Sequence, residues 1–448
     1  MNELPVGRRV AQWRVRRNMT QQQFADRLGK SKSWVDKVER GVRRLERVSN
    51  LREIADALRI DVEVLLTARP VRSDPVAAGV DGIRTALARY HLRGSTRPPR
   101  VEELRARLDH AEQSYRHARY PALLAALPGL LDAAREAQAA GPGRTDALLV
   151  SVYGLIALVL VKVGQGELAW LAADRGMAVA LATGDPQLAA VATVSLSQAL
   201  RSRGRRRSAL DAAIVAADGI EAPRSGGGFA ANLSLRGTLL LQAALAAAGG
   251  GDERRARQSL DQAAEIARDV GSDGGRGLGC GAGGEGFGGG GFGGEGFGGA
   301  GFGGAGFGGA GFGGGGFGGA GFGGRGFCGG GVGGVGFGLA AVEAARVVAE
   351  AALGDVTTAT GRHGRLVVGD EWRWLPPEHR AAYLLDVARA CALTGDMRCA
   401  GRTLLDAERM AHSEVHDRPA VRRLVAVVWR SAEAPAGLAQ LAAALHVA

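Results

Sequence analysis

The chain has 448 residues, enough for two or three domains with a substantial core. Its 46% hydrophobic and 23% charged content excludes a disordered or fibrous protein, while 72 glycines and a net charge of +11 depart from the ordinary. The four cysteines (Cys280, Cys328, Cys391, Cys399) have no Cys-x-x-Cys spacing and no neighbouring histidine pair, which argues against a disulfide scaffold and against a zinc site.

The charge is concentrated. Residues 1–72 carry 17 Lys and Arg against 9 Asp and Glu, so this short segment holds +8 of the +11. A basic balance confined to one small module is the footprint of polyanion binding. Of the four lysines in the chain, Lys30, Lys32 and Lys37 fall within eight residues of one another. The N-terminus turns amphipathic and basic at once, without the apolar region of a signal peptide. The longest apolar run, Ala147 to Val161, falls short of the ~18 residues of a membrane span. A cytoplasmic, nucleoid-associated protein with no membrane partner is expected.

In chain order, Val6, Val10 and Trp13 recur at helical spacing among arginines. Thr20 with Gln23 three positions on is a capping box, opening a helix that buries Phe24, Ala25 and Leu28 and stops at Gly29. Ser31 caps the next helix, Lys32 to Arg40, which turns Val35 and Val38 inward and ends at Gly41. A fourth helix carries Leu51, Ile54, Ala55 and Leu58, and Asp61 caps a short fifth through Val62, Val64, Leu65 and Leu66. Two short helices around a glycine turn are a helix-turn-helix.

The run Met19-Thr20-Gln21-Gln22-Gln23-Phe24-Ala25-Asp26-Arg27-Leu28-Gly29, with Ser31, Val35 and Val38-Glu39-Arg40-Gly41, resembles the xenobiotic-response-element family. This is the helix-turn-helix class typified by lambdoid phage repressors, and the likeness spans residues 6–67. It implies that the second paired helix enters the DNA major groove. Lys32, Ser33 and Lys37 would then face base edges, and Gln21 and Ser31 would donate to phosphates at helix N-termini. Trp34 packs either on a sugar or thymine methyl, or between helices. Arg43, Arg44 and Arg47 follow the recognition helix, within reach of the backbone.

Residues 69–100 mix prolines and glycines with a short helix expected over 82–90, and read as a linker. Beyond it, Ala/Leu-rich helices alternate with glycine turns. Gly164, Gly204, Gly251, Gly354 and Gly395 are each followed five residues later by alanine (Ala169, Ala209, Ala256, Ala359, Ala400), at spacings of 40, 47, 103 and 41. The pattern resembles tetratricopeptide-type repeats, with its clearest copy at 383–411 and a period longer than the standard ~34. Such arrays offer a concave surface for peptides, proteins or small ligands.

Residues 274–338 hold 41 of the glycines, with phenylalanine every five residues from Phe287 to Phe327. A period of five fits neither helix nor strand, so disorder is expected. Removing these 65 residues from the spacing of 103 leaves 38, which marks an expanded loop inside a regular array. It reads either as a sticky linker for self-association or as a neutral expansion of a coding repeat.

The segment Asp370 to Pro377, with two tryptophans between charges, reads as a helix entry packed on the preceding repeat, or as a pocket wall. The arginine cluster from Arg201 to Arg207 reads as a solvated turn. The eight histidines form no pair at ligand spacing, and no nucleophile–base arrangement is visible. The expectation is therefore an all-α protein: a five-helix DNA-binding domain (1–68), a linker (69–100) and a repeat array (101–273 and 339–448) interrupted by the disordered insert (274–338). It would be a homodimeric, sequence-specific regulator of transcription on double-stranded DNA, with a peptide or small-molecule effector and no cofactor, metal or enzymatic activity. The alternative is a protein-interaction scaffold whose DNA contact is incidental.

Overall fold

The computed structural model describes residues 6–17, 19–43, 45, 48–62, 65, 74–90, 99–141, 143, 145–220, 229–276 and 337–447. Among these residues every regular element is helical, as the periodicity predicts. The chain divides into two compact units, 1–78 and 79–448.

The first unit contains α1 (Val6–Arg16), α2 (Gln21–Leu28), α3 (Lys32–Glu39) and α4 (Val48–Leu58). Its core joins Val10, Met19, Phe24, Ala25, Val35, Ile54, Ala55, Leu58 and Leu65. Of the expected fifth helix, Val62 and Leu65 are helical and Leu65 is fully buried, while residues 63, 64 and 66 lie outside the described set. The Arg9 guanidinium fastens this end by donating to the Leu65 carbonyl at 2.6 and 2.9 Å.

The linker expectation for 69–100 needs correction. A helix, α5, spans Pro75–Ala88 and buries Val80, Ile83, Ala86 and Leu87. The residues that suggested a linker have helical uses. Asp74 accepts from the Val76 amide at 3.0 Å ahead of Pro75, which sits where a helix tolerates proline. Gly79 lies where a Cβ would come within 2.5 Å of Leu124 Cβ, so its missing side chain lets the next helices approach.

Among the described residues, the second unit continues with six helical hairpins. These are α6 (Val101–Arg116) with α7 (Tyr120–Ala140), α8 (Asp146–Lys162) with α9 (Gly166–Ala182), and α10 (Pro186–Ser202) with α11 (Arg206–Asp218). Then come α12 (Phe229–Gly249) with α13 (Glu253–Arg276), α14 (Leu339–Ala352) with α15 (Val356–Val368), and α16 (Pro377–Leu393) with α17 (Met397–Met410). Three shorter helices follow: α18 (His412–His416), α19 (Pro419–Trp429) and α20 (Leu438–Ala444).

Each repeat glycine lies at the turn of one hairpin with φ between 74° and 95°. The next backbone amide reaches back across each turn, for example Gln165 to Leu160 O (2.8 Å) and Asp396 to Cys391 O (2.9 Å), the hydrogen bond of a Schellman motif. The five alanines that follow are buried, four of them completely. The first hairpin lacks the glycine and turns instead through Ala118 at φ 52°, which is why the repeat reading does not find it.

The bulk of the Gly/Phe segment lies outside the described residues. On either side of it α12 and α13 both pack on α14, so the array resumes across the segment. The opening helices of successive hairpins pack side by side, α6 on α8, α8 on α10 and onward to α16, and α16 packs on α6. At this closure Lys162, the fourth lysine of the chain, is 2% exposed. It pairs with Glu378 and, at 2.9 Å, with Glu414; both carboxylates are fully buried. Tyr120 and Arg418 also donate to Glu414. Burial pushes the Glu414 carboxyl up, but the flanking Lys162 and Arg418 cations outweigh it and hold the group at about 2.

The cysteine reading also needs amendment. Cys391 and Cys399 lie four residues before and after Gly395, and the turn pairs them as a disulfide with Cα atoms 6.0 Å apart. One bridge across a hairpin is not a scaffold, but the spacing about the turn glycine is its signal. Trp372, in a short 3-10 helix (Asp370–Trp374), is buried edge-on against Tyr383 at 5.5 Å and also lines an open cavity of 370 Å³ with His363 and Leu384, so the stretch is both a helix entry and a pocket wall.

Candidate nucleic-acid interface

The paired helices of the first unit are capped as the sequence predicts. Thr20 Oγ1 accepts from the Gln23 amide at 3.2 Å while Gln23 Oε1 accepts from the Thr20 amide at 2.9 Å. Gly29 ends α2 in the left-handed region at φ 61°, and Ser31 Oγ accepts from the Trp34 amide at 3.2 Å to start α3. These caps satisfy amides that a helix leaves open, and so fix where α3 begins.

Helix α3 is oriented by a buried polar clamp that sequence reasoning misses. Glu39, 6% exposed, accepts from Arg14 of α1 at 2.6 and 3.1 Å and from the side-chain Nε2 of Gln21 in α2 at 2.9 Å. One carboxylate therefore ties three helices together, in the bidentate geometry that favours arginine. Gly7 allows α1 to lie against α3, because a Cβ there would meet the Val38 carbonyl oxygen at 1.9 Å. A capping box has a sequence signature; a long-range clamp of this kind has none.

With Val35, Val38 and Glu39 turned inward, the outer face of α3 presents Lys32, Ser33 and Lys37, all exposed. Asp36 and Arg40 share that face, bonded to each other at 3.4 Å, and were not singled out from the sequence although helical spacing aligns them with Lys32. Trp34 is half-buried against the core, with the Arg43 guanidinium 5.9 Å from its ring centroid. The interhelix alternative for Trp34 therefore describes its place in the free protein. Arg44 and Arg47 lie outside the described residues. Arg40 also joins Arg8 and Arg16 around an open groove of 890 Å³.

Chemically, this face offers two ammonium groups, a guanidinium, a hydroxyl and one carboxylate on a rigidly held helix. Among the described residues of this unit there is neither histidine nor cysteine. The histidine expectation fails elsewhere: Glu408, His412 and His416 follow one another at intervals of four, and the end of α17, the turn at Ala411 and α18 bring their side chains together in the second unit.

Residues 5–67 match the sequence profile of the helix-turn-helix domain. The chain thus joins a helix-turn-helix domain to a helical repeat domain. No curated protein matches it. Among solved structures it is similar to Bacillus thuringiensis PlcR in complex with the peptide PapR7 and DNA. That match has 13% identity and a TM-score of 0.28, and covers 61% of this chain and 98% of that one. It is also similar to aspartyl phosphate phosphatase F from Bacillus subtilis, at 10% identity and a TM-score of 0.41, covering 92% of this chain and 96% of that one. Among the described residues no helix is long and apolar enough to cross a membrane.

Proposed function

We propose that this protein is a sequence-specific, double-stranded-DNA-binding regulator of transcription that reads its operator through α3. The observation that carries this reading is the exposed Lys32, Ser33 and Lys37 on a helix whose opposite face is locked by Glu39 and the core. A lysine ammonium suits guanine O6 and N7 in the major groove, so a guanine-containing half-site is expected. Gln21 would turn its second amide hydrogen, and Ser31 its hydroxyl hydrogen, toward phosphates at the starts of α2 and α3. Arg43 would add a cation toward the backbone, with Arg44 next to it in sequence, and the part of Trp34 left outside the core would meet a sugar or a thymine methyl.

One such module makes few phosphate contacts, so two copies on half-sites about one helical turn apart supply affinity and specificity. The helical unit, 101–273 with 339–448, is assigned the pairing of copies and the reception of a peptide or small-molecule effector in a cytoplasmic, nucleoid-associated regulator. Selection of bound sequences from a randomised duplex pool by the full-length chain tests this. A two-fold symmetric consensus is expected. Binding that ignores sequence would support the scaffold alternative, in which DNA contact is incidental.

A further inference from the structure

Helix α18 sends polar groups in two directions. His412 and His416 stack one turn apart, with ring centroids separated by 3.7 Å and planes inclined by 19°. Glu408, one turn earlier at the end of α17, places Oε1 2.9 Å from His416 Nε2. A ligand atom from each of the three side chains lies within 4.8 Å of those of the other two. Glu414, between the histidines in sequence, faces the other way and is buried in the cluster around Lys162.

We propose that Glu408, His412 and His416 bind a divalent first-row transition metal of the zinc type. Two imidazoles and a carboxylate are borderline donors, matched to zinc, cobalt, nickel or copper rather than to magnesium or calcium. Bonds of ~2.0–2.2 Å at tetrahedral angles set ligand atoms about 3.3–3.6 Å apart. The present separations reach that by side-chain rotation, for which exposed His412 and partly exposed Glu408 have room. The spacing of four residues sets His412 and His416 on one side of α18, and the extended turn at Ala411 brings Glu408 to them from the end of α17. Three protein ligands leave a coordination position open to solvent, as in sites that exchange metal or bind a further ligand.

Metal binding joins the end of α17 to α18 and steadies the turn that carries Glu414. The buried cluster at the closure of the array is thereby coupled to occupancy of an accessible site. This inference is independent of the DNA-binding reading, since its ligands belong to the second unit and the α3 face to the first.

Calorimetric titration of the tag-free, full-length chain with zinc, repeated with cobalt to read ligand type from its visible spectrum, tests the proposal. One equivalent is expected to bind, with His412→Ala, His416→Ala and Glu408→Gln each weakening it by more than about tenfold. The exposed position of His412 makes His412→Ala the variant that keeps the fold, checked by circular dichroism without metal. Cys391→Ser with Cys399→Ser is expected to leave affinity and spectrum unchanged. Failure of the wild-type chain to bind zinc or cobalt would overturn the assignment. So would affinity that survives the double histidine substitution, or that disappears with the cysteines.

Discussion

Replacing Lys162 by methionine keeps most of the side-chain volume and removes the charge on which the closure of the helical array rests. At an effective dielectric constant of ~20, unit charges 2.9 Å apart, as Lys162 and Glu414 are, attract by about 6 kcal/mol. That attraction is set against the cost of holding a lysine and two carboxylates out of water. Lys162→Met removes the attraction and leaves the carboxylates where they are. Glu414 retains Arg418 and Tyr120 and Glu378 retains the Tyr115 hydroxyl, so what both carboxylates lose is the Lys162 charge, whose pairing with Glu378 spans 216 positions of sequence. Breaking a buried pair from one side costs ~3–5 kcal/mol, a large part of the ~5–15 kcal/mol that usually separates folded from unfolded chains. Urea unfolding of the full-length chain, followed by circular dichroism, reads the loss as a lowered midpoint at unchanged slope. Adding Glu378→Gln to Lys162→Met removes one of the two buried negative charges that Lys162 balances and should recover part of the loss. A single variant within about 0.5 kcal/mol of the parent would refute the reasoning, as would a double variant that is worse by the full sum of both changes.

Two further outcomes follow from local geometry. Burial raises the Glu112 carboxyl to about 7 from an ordinary 4.5; Arg116, 3.7 Å away, opposes the rise and Asp109 adds to it. The folded chain then binds this proton more tightly than the unfolded chain does. Stability should fall by ~3 kcal/mol as pH rises from 4.5 to 7, and Glu112→Gln should flatten that slope in thermal melts across the range. Thr20→Ala removes half of the capping box and should cost the first unit about 1 kcal/mol, with Thr20→Ser restoring most of it. An unchanged melt for Thr20→Ala would mean that the cap does not limit α2.

Much of this fold is legible in the sequence where the cause is local. Thr20 and Gln23, Ser31, and the left-handed glycines at 29, 41, 164, 204, 251, 354 and 395 act within a turn of where they stand, and their spacing carries the information. The alanines five residues after the repeat glycines are legible for the same reason. What stays hidden depends on meetings of distant segments. Nothing near Lys162 announces Glu378, nothing near Gln21 announces Glu39, and Gly79 reads as a linker residue until Leu124 is known to lie against it. The trio Glu408, His412 and His416 is a different kind of miss. His412 and His416 stand in the sequence as a pair at ligand spacing, so that part is legible, whereas Glu408 lies beyond the turn at Ala411 on another helix and only the structure brings it to them.

The exposed face of α3 bears the central claim, and Lys32→Ala combined with Lys37→Ala tests it most directly. Both side chains project into solvent, so the double variant should keep the helical spectrum and melting temperature of the parent. Each lysine–guanine contact contributes ~1–3 kcal/mol of discrimination, so loss of both should weaken operator binding by at least about thirtyfold at fixed salt. The decisive measurement is a mobility-shift titration of the folded double variant on the selected operator. Loss of the specific complex is the expected result, and unchanged operator affinity would contradict the assignment of α3 as the helix that reads DNA.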